Sequence, residues 1–158
     1  SMAQICLEHD IIICSDEIHS DLVFSDQRHI PIAMIDPEIA AKTITLLAPS
    51  KTFNIAGLEA SVAVIQDQKL RQQFDGARLG LVGWVNLLGQ IAMLAAYQHG
   101  EKWLDALLLY LEANRDYLVE FINHQIPGVQ VTSPQGTYLA WLNCRDANIP
   151  GKPSELLT

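Results

Sequence analysis

The stretch Asp10–Leu22 reads DIIICSDEIHSDL, and its two halves decide the fold. Asp10-Ile11-Ile12-Ile13-Cys14 is a continuous β-branched run, the pattern of a strand buried on both faces. From Ser15 to Pro31 the chain turns polar and irregular, which predicts a functional loop at the carboxyl end of that strand. Upstream, Gln4–His9 reads as the tail of a helix. Downstream, Asp36–Ala41 predicts a short helix with Asp36 as N-cap and Pro37 in its first turn. Thr43–Ala48 is a second apolar strand closed by Pro49, and Ala60–Ile65 is a third. Asp67 then opens a helix through Phe74. Strands alternating with loops and helices at this spacing predict an α/β sheet.

The second half has a different grain. Leu79–Tyr97 carries no charge and is about as long as the roughly 20 residues that cross a bilayer. Gly80, Gly83 and Gly89 interrupt it, so it reads as a buried helix at a domain or subunit contact, with Asn86 and Gln90 on one face. Glu101–His124 spaces Leu104, Leu107, Leu108, Leu111, Leu118, Phe121 and Ile122 as one helical face, and Pro127-Gly128 ends it. Val129–Thr132 and Thr137–Leu142 predict two strands around a turn at Ser133–Gly136. The expected division is therefore an α/β part over residues 4–100 and an α+β part over 101–158.

The composition bounds the function. With 158 residues, 49% of them apolar, the chain suits one globular domain with a sizeable core. Ten basic against 18 acidic residues leave a net charge of −8, a poor field for nucleic acid or an anionic membrane. That field leaves room for a small anionic ligand in a local pocket. Cys6, Cys14 and Cys144 form neither a disulfide framework nor a metal-binding spacing, so no metal and a reducing, cytoplasmic setting are expected. No basic, apolar leader opens the sequence.

Two segments carry chemistry, each directly after a strand: Ser15-Asp16-Glu17-Ile18-His19, and Ser50-Lys51-Thr52-Phe53-Asn54. Ligands of open α/β sheets sit at the carboxyl ends of strands, so an acid and a lysine could converge there on one pocket. Such a pair could be a structural ion pair. It could equally serve pyridoxal 5'-phosphate, whose aldehyde takes a lysine amine and whose ring nitrogen takes an acid. Taken singly, Asp16 and Glu17 suit a cap, His19 a loop hydrogen bond, and Ser50 a turn cap.

Taken together, these segments resemble the fold-type I pyridoxal-phosphate enzymes of the class I/II aminotransferase group, and most closely their C–S lyase, cystathionine β-lyase-like branch. The resemblance rests on SDEIHSDL (15–22), His29-Ile30-Pro31 and APSKTFNIAGL (48–58). It continues through Asn86, Gly89–Tyr97, Gly100-Glu101-Lys102-Trp103-Leu104 and Gly136-Thr137-Tyr138-Leu139-Ala140-Trp141, in the family's order. It implies part of a large domain with a mostly parallel sheet, leading into a small domain. Lys51 would be the Schiff-base lysine that also shuttles the Cα proton, and Asp16 the partner of the pyridinium nitrogen. His19 would stand where many aminotransferases have a tyrosine on the phenolic oxygen, and Ser50 would contact the phosphate or ring. The implied substrate is a small sulfur-containing amino acid, and the implied assembly a homodimer.

Two positions depart from that pattern. Aminotransferases commonly have a phosphate-binding arginine eight residues after the lysine, where this chain has Glu59, and a serine three before it, where this chain has Ala48. Both departures favour a C–S lyase over an aminotransferase, the nearest alternative. The resemblance covers less than half of a family chain. The phosphate-cradling glycine loop, the ring-stacking aromatic, the asparagine beside Asp16's site and the carboxylate-binding arginine fall outside it, and Pro153–Thr158 would begin a further helix. A non-catalytic remnant or dimerisation module is thus a third reading, and open sheet edges predict self-association.

Overall fold

A computed structural model describes residues 2–25 and 27–147. Helix α1 (Met2–Glu8) leads into strand β1 (Ile13–Asp16), followed after a long loop by a 3-10 turn at Ile32–Met34 and α2 (Pro37–Ala41). Strand β2 (Thr43–Leu47), the short α3 (Pro49–Thr52), a 3-10 turn at Ala56–Leu58 and β3 (Val62–Ile65) come next. Three helices follow: α4 (Gln68–Arg78), α5 (Leu87–His99) and α6 (Glu101–Gln125). The two-residue strands β4 (Gln130–Val131) and β5 (Leu142–Asn143) form a separate ribbon. The mixed helix and sheet are the expected α/β class.

The main sheet runs β1-β2-β3. β1 pairs parallel to β2, with Ile13 opposite Thr43 and Asp16 opposite Leu46; β2 pairs antiparallel to β3, with Ile44 opposite Ile65. The mostly parallel expectation is met at the first junction and not at the second. β1 also starts three residues later than its β-branched run. Asp10 takes a left-handed φ of 54°, and the Ile11 amide still bonds back to Cys6 of α1 at 2.8 Å. The ladder opens only where Ile13 N–H reaches the Lys42 carbonyl. Ile11 and Ile12 are 48% and 49% exposed, so this run is not buried on both faces.

Helix starts follow their caps. The Asp36 carboxylate accepts from Glu38 N–H, and Asp67 accepts from Leu70 N–H, as the sequence suggests. The stretch 79–97 behaves differently from its expectation. Asn86 caps α5 by accepting from Gly89 N–H at 2.8 Å, so the helix begins at Leu87 and residues 79–86 precede it as loop and turn. Gln90 donates to the Val85 carbonyl, so Asn86 and Gln90 both serve the helix start rather than a shared face. Within the single chain Leu81, Val82, Leu87 and Leu88 are exposed, and Trp84 is 88% exposed beneath the Arg78 guanidinium. Among the described residues, no helix is long and apolar enough to cross a membrane.

The core's most enclosed large side chains, Leu22 and Phe24, come from the loop that the sequence marks as polar. Their backbone meets the C-terminal segment. Phe24 N–H donates to Gln135, Thr137 N–H donates to Leu22, and Val23 bridges Gly136. A Cβ on Gly136 would stand 2.4 Å from the Leu22 carbonyl, so this approach requires glycine. It also explains why Thr137–Leu142 is not a strand: Thr137 has a left-handed φ of 65°, and ladder pairing resumes only at Leu142. Residues Pro153–Thr158, where a further helix is expected, lie outside the described residues.

Candidate functional site

Because β1 and β2 are parallel, their carboxyl ends adjoin. Glu17 N–H donates to the Leu46 carbonyl at 2.9 Å, so Ala48–Lys51 leave the sheet beside the Asp16–His19 turn. Strand alternation then separates the acids. Ser15 and Glu17 face one side and Asp16 the other.

Glu17 is 6% exposed and heavily bonded. One of its carboxylate oxygens accepts from Ser15 Oγ at 2.9 Å and from Ile32 N–H at 3.3 Å, and the other meets His29 Nε2 at 2.8 Å. Burial pushes its carboxyl up, and the hydrogen bonds from His29, Ser15 and Ile32 together outweigh that, leaving it below the ordinary carboxylate value. Asp16, by contrast, is exposed and, among the described residues, its side chain accepts only a long 3.3 Å bond from Ile18 N–H. The His19 ring is half-buried and packs edge-on against Tyr138, with centroids 5.6 Å apart. Asp16 and His19 share a cleft of about 290 Å³ with Arg28, His29, Gln135 and Thr137.

Ser50 and Lys51 do not line that cleft. They sit on α3, which starts where extended Ala48 gives way to Pro49 and has no side-chain cap. The turn-cap reading of Ser50 is thus not realised: its hydroxyl makes no hydrogen bond with the described residues. Lys51 is half-buried and likewise without hydrogen bond or ion pair among them. Asp16 and Lys51 are therefore not a structural ion pair. Two oppositely charged groups stand at adjoining strand ends with their hydrogen-bonding capacity largely unspent.

What holds the lysine segment is packing behind it. Thr52 is fully buried, and its hydroxyl donates to Asp21 Oδ2 at 2.9 Å. Phe53 packs against Tyr97 and Trp103, with centroids 5.6 and 5.9 Å away. A Cβ on Gly100 would lie 2.4 Å from the Phe53 ring. Farther on, Asn86 Nδ2 donates to the Leu58 carbonyl at 2.8 Å, and Gly89 lets that carbonyl come close. Glu59 ends this segment in a left-handed conformation, exposed. Burial, then the Asp21 charge and a hydrogen bond to it, raise the Tyr97 phenol above its ordinary value.

Sequence reasoning missed the buried Glu17 network and the contact between Asp21 and Thr52. Alternation along β1 could have turned Glu17 inward once Asp16 was placed outward. Nothing in the sequence links Asp21 to Thr52, 31 residues apart.

Comparison with known proteins places these residues in context. A family model described as aminotransferase class I and II matches residues 1–156. Cystathionine beta-lyase PatB of Bacillus subtilis (strain 168) is 41% identical over 144 residues, covering 90% of this chain and 37% of that protein. The structure of cystalysin from Treponema denticola, described as containing a pyridoxal 5'-phosphate cofactor, superposes with a TM-score of 0.84 at 34% identity, over 90% of this chain and 36% of its own. The pyridoxal-phosphate-bound C–S lyase of Staphylococcus hominis superposes with a TM-score of 0.81 at 40% identity, over 90% and 35%. The chain thus spans little more than a third of the length of these relatives.

Proposed function

The chain belongs to the class I and II aminotransferase family, and from that premise we propose that it carries the lysine and acid of a pyridoxal-phosphate-dependent C–S β-lyase. The substrate class is a small sulfur-containing amino acid, such as cystathionine or a cysteine conjugate. The observation that carries this reading is that an unpaired Lys51 amine and a lightly bonded Asp16 carboxylate follow the adjoining carboxyl ends of two parallel strands. This donor set fits the cofactor, which needs an amine for its aldehyde and an acid for its ring nitrogen. Two relatives at 41% and 40% identity described as lyases support lyase over transaminase chemistry.

In this reading Lys51 would hold the cofactor through its aldehyde and would be the group that moves the proton at the substrate's Cα. Asp16 would keep a proton on the ring nitrogen, and its exposed, lightly bonded carboxylate could do so without first breaking a strong bond. His19, held edge-on by Tyr138, would contact the phenolic oxygen, and the uncommitted Ser50 hydroxyl would contact the phosphate or ring. When bound, pyridoxal phosphate supplies an electron-withdrawing ring that spreads negative charge from Cα. The overall reaction served would be β-elimination, in which substrate and water give a thiol, pyruvate and ammonia.

The site falls within residues 4–100, with 101–158 as the start of a small domain, and the single residue Gly100 joins α5 to α6. A homodimer is supported by the exposed Leu81, Val82, Trp84, Leu87 and Leu88. A clean monomer in size-exclusion chromatography with light scattering overturns that assembly. A reducing cytoplasm suits the free Cys6, Cys14 and Cys144.

The chemistry is tested by adding pyridoxal phosphate, reducing with borohydride and mapping the label by mass spectrometry. Stoichiometric label confined to Lys51, with no other lysine taking over in Lys51→Ala, is expected. Label scattered over Lys42, Lys69 and Lys102, or no label, overturns the assignment. Pyruvate release from cystathionine, against amino transfer to an α-keto acid, separates lyase from aminotransferase.

A further inference from the structure

We propose that Asp21 is a positioning residue: through the buried Thr52 hydroxyl it ties the helix carrying Lys51 to the turn carrying Asp16 and His19. This rests on the function proposed above and adds a residue that neither charge pairing nor strand ends point to.

Consider first how weakly α3 holds itself. It has four residues, no side-chain cap, and backbone closure by Phe53 N–H to Pro49 at 2.8 Å and Ile55 N–H to Ser50 at 3.2 Å. One turn of helix is below the length that sustains itself, so its orientation must come from outside. Thr52 is its most enclosed side chain, at 0% exposure, and its hydroxyl has one acceptor, Asp21 Oδ2. Asp21 stands in the turn that starts at Glu17, where Ser20 N–H bonds Glu17 and Leu22 N–H bonds His19, both at 3.0 Å. That turn is anchored on both sides, by buried Glu17 and by fully buried Leu22. Tyr97 of α5 lines the same cavity as Asp21, and its ring packs on Phe53, the residue after Thr52. One carboxylate therefore joins the turn after β1 to α3, and these two segments carry the proposed catalytic groups. Asp21 touches α3 and not the reacting atoms, so it acts through Thr52.

The geometry predicts a local effect. Without the Thr52–Asp21 bond, α3 loses its tether and the Lys51 amine spends more time in solvent, while lysines on other elements are untouched. The test is pulsed acetylation of the whole chain with limiting acetic anhydride, without cofactor, read lysine by lysine by mass spectrometry. Thr52→Val, which keeps the shape and removes the donor, should speed Lys51 by about threefold to tenfold relative to Lys69, the range that loss of one net hydrogen bond gives. Asp21→Ala should do the same, and because Asp21 is exposed its truncation spares the core if Thr52→Val fails to fold. Thr52→Ser, which restores the donor, should return the wild-type rate. An unchanged Lys51 rate in both variants overturns the proposal. So does equal acceleration of Lys42, Lys51, Lys69 and Lys102, which would make the bond a general fold contact. Failure of the function itself reads out separately, as absence of pyridoxal-phosphate label on Lys51 in the wild-type chain.

Discussion

The two sides of the site are built in opposite ways. The β1 side is determined several times over: Glu17 is buried with three partners, and Leu22 and Phe24 are almost wholly enclosed. The α3 side is a single helical turn without a side-chain cap, held by Tyr97 of α5 against its C-cap Phe53 and by Asp21 of the β1 turn. An acid can be presented from a rigid strand end, since Asp16 need only point outward. In the proposed chemistry the lysine must both bind and move a proton, which suits a segment hung from external contacts, where its own side chain stays unpaired.

That contrast can be broken most sharply at Glu17. Glu17→Ala leaves Ser15 Oγ, Ile32 N–H and His29 without their acceptor, and should cost about 2–4 kcal/mol in urea unfolding. The pH profile carries the same information. The Glu17 carboxyl lies below its unfolded value, so its contribution is complete above that value and is lost as the pH falls through the folded one. Unfolding midpoints of the wild type should therefore drop on acidification below about pH 4.5, the ordinary range for glutamate, and the Glu17→Gln profile should be flatter there. A drop of equal size in both would remove Glu17 as its source.

On the α3 side the expected effects are smaller. Gly89→Ala would place its Cβ 2.4 Å from the Leu58 carbonyl, and the forced shift should cost about 1–3 kcal/mol by the same unfolding measurement. Asn86→Ala removes the α5 cap and the bond to Leu58, and should cost about 1 kcal/mol. If both also loosen Lys51 in the acetylation assay, support of α3 from α5 is as direct as support from Asp21. The smallest effect belongs far from the site, where Lys42 pairs with the exposed Asp10 at the other end of the sheet. Lys42→Ala should leave the unfolding midpoint within error, because exposed ion pairs contribute little.

Much of the framework was legible. Asp36 and Asp67 announce their helices because an N-cap carboxylate satisfies amides a few residues on, a wholly local interaction. The Thr43–Leu47 strand and the Glu101–Gln125 helix follow from pattern alone, and the placement of Asp16 and Lys51 after adjacent strands follows from order. Periodicity misled where a local backbone event intervened. Ile11 and Ile12 look like strand, yet left-handed Asp10 delays pairing to Ile13. Residues 79–86 look like helix, yet Asn86 prefers to cap.

Local pattern thus settled the elements, the family resemblance and the two chemistry-bearing segments of this chain, because caps, turns and hydrophobic period act over a few residues. Only the folded molecule decided that Glu17 turns inward while Asp16 turns out, that Leu22 and Phe24 are core, and that Asp21 meets Thr52 across 31 positions. Those outcomes depend on which distant groups compete for the same donors and the same space, and such competition exists only once the chain has closed on itself.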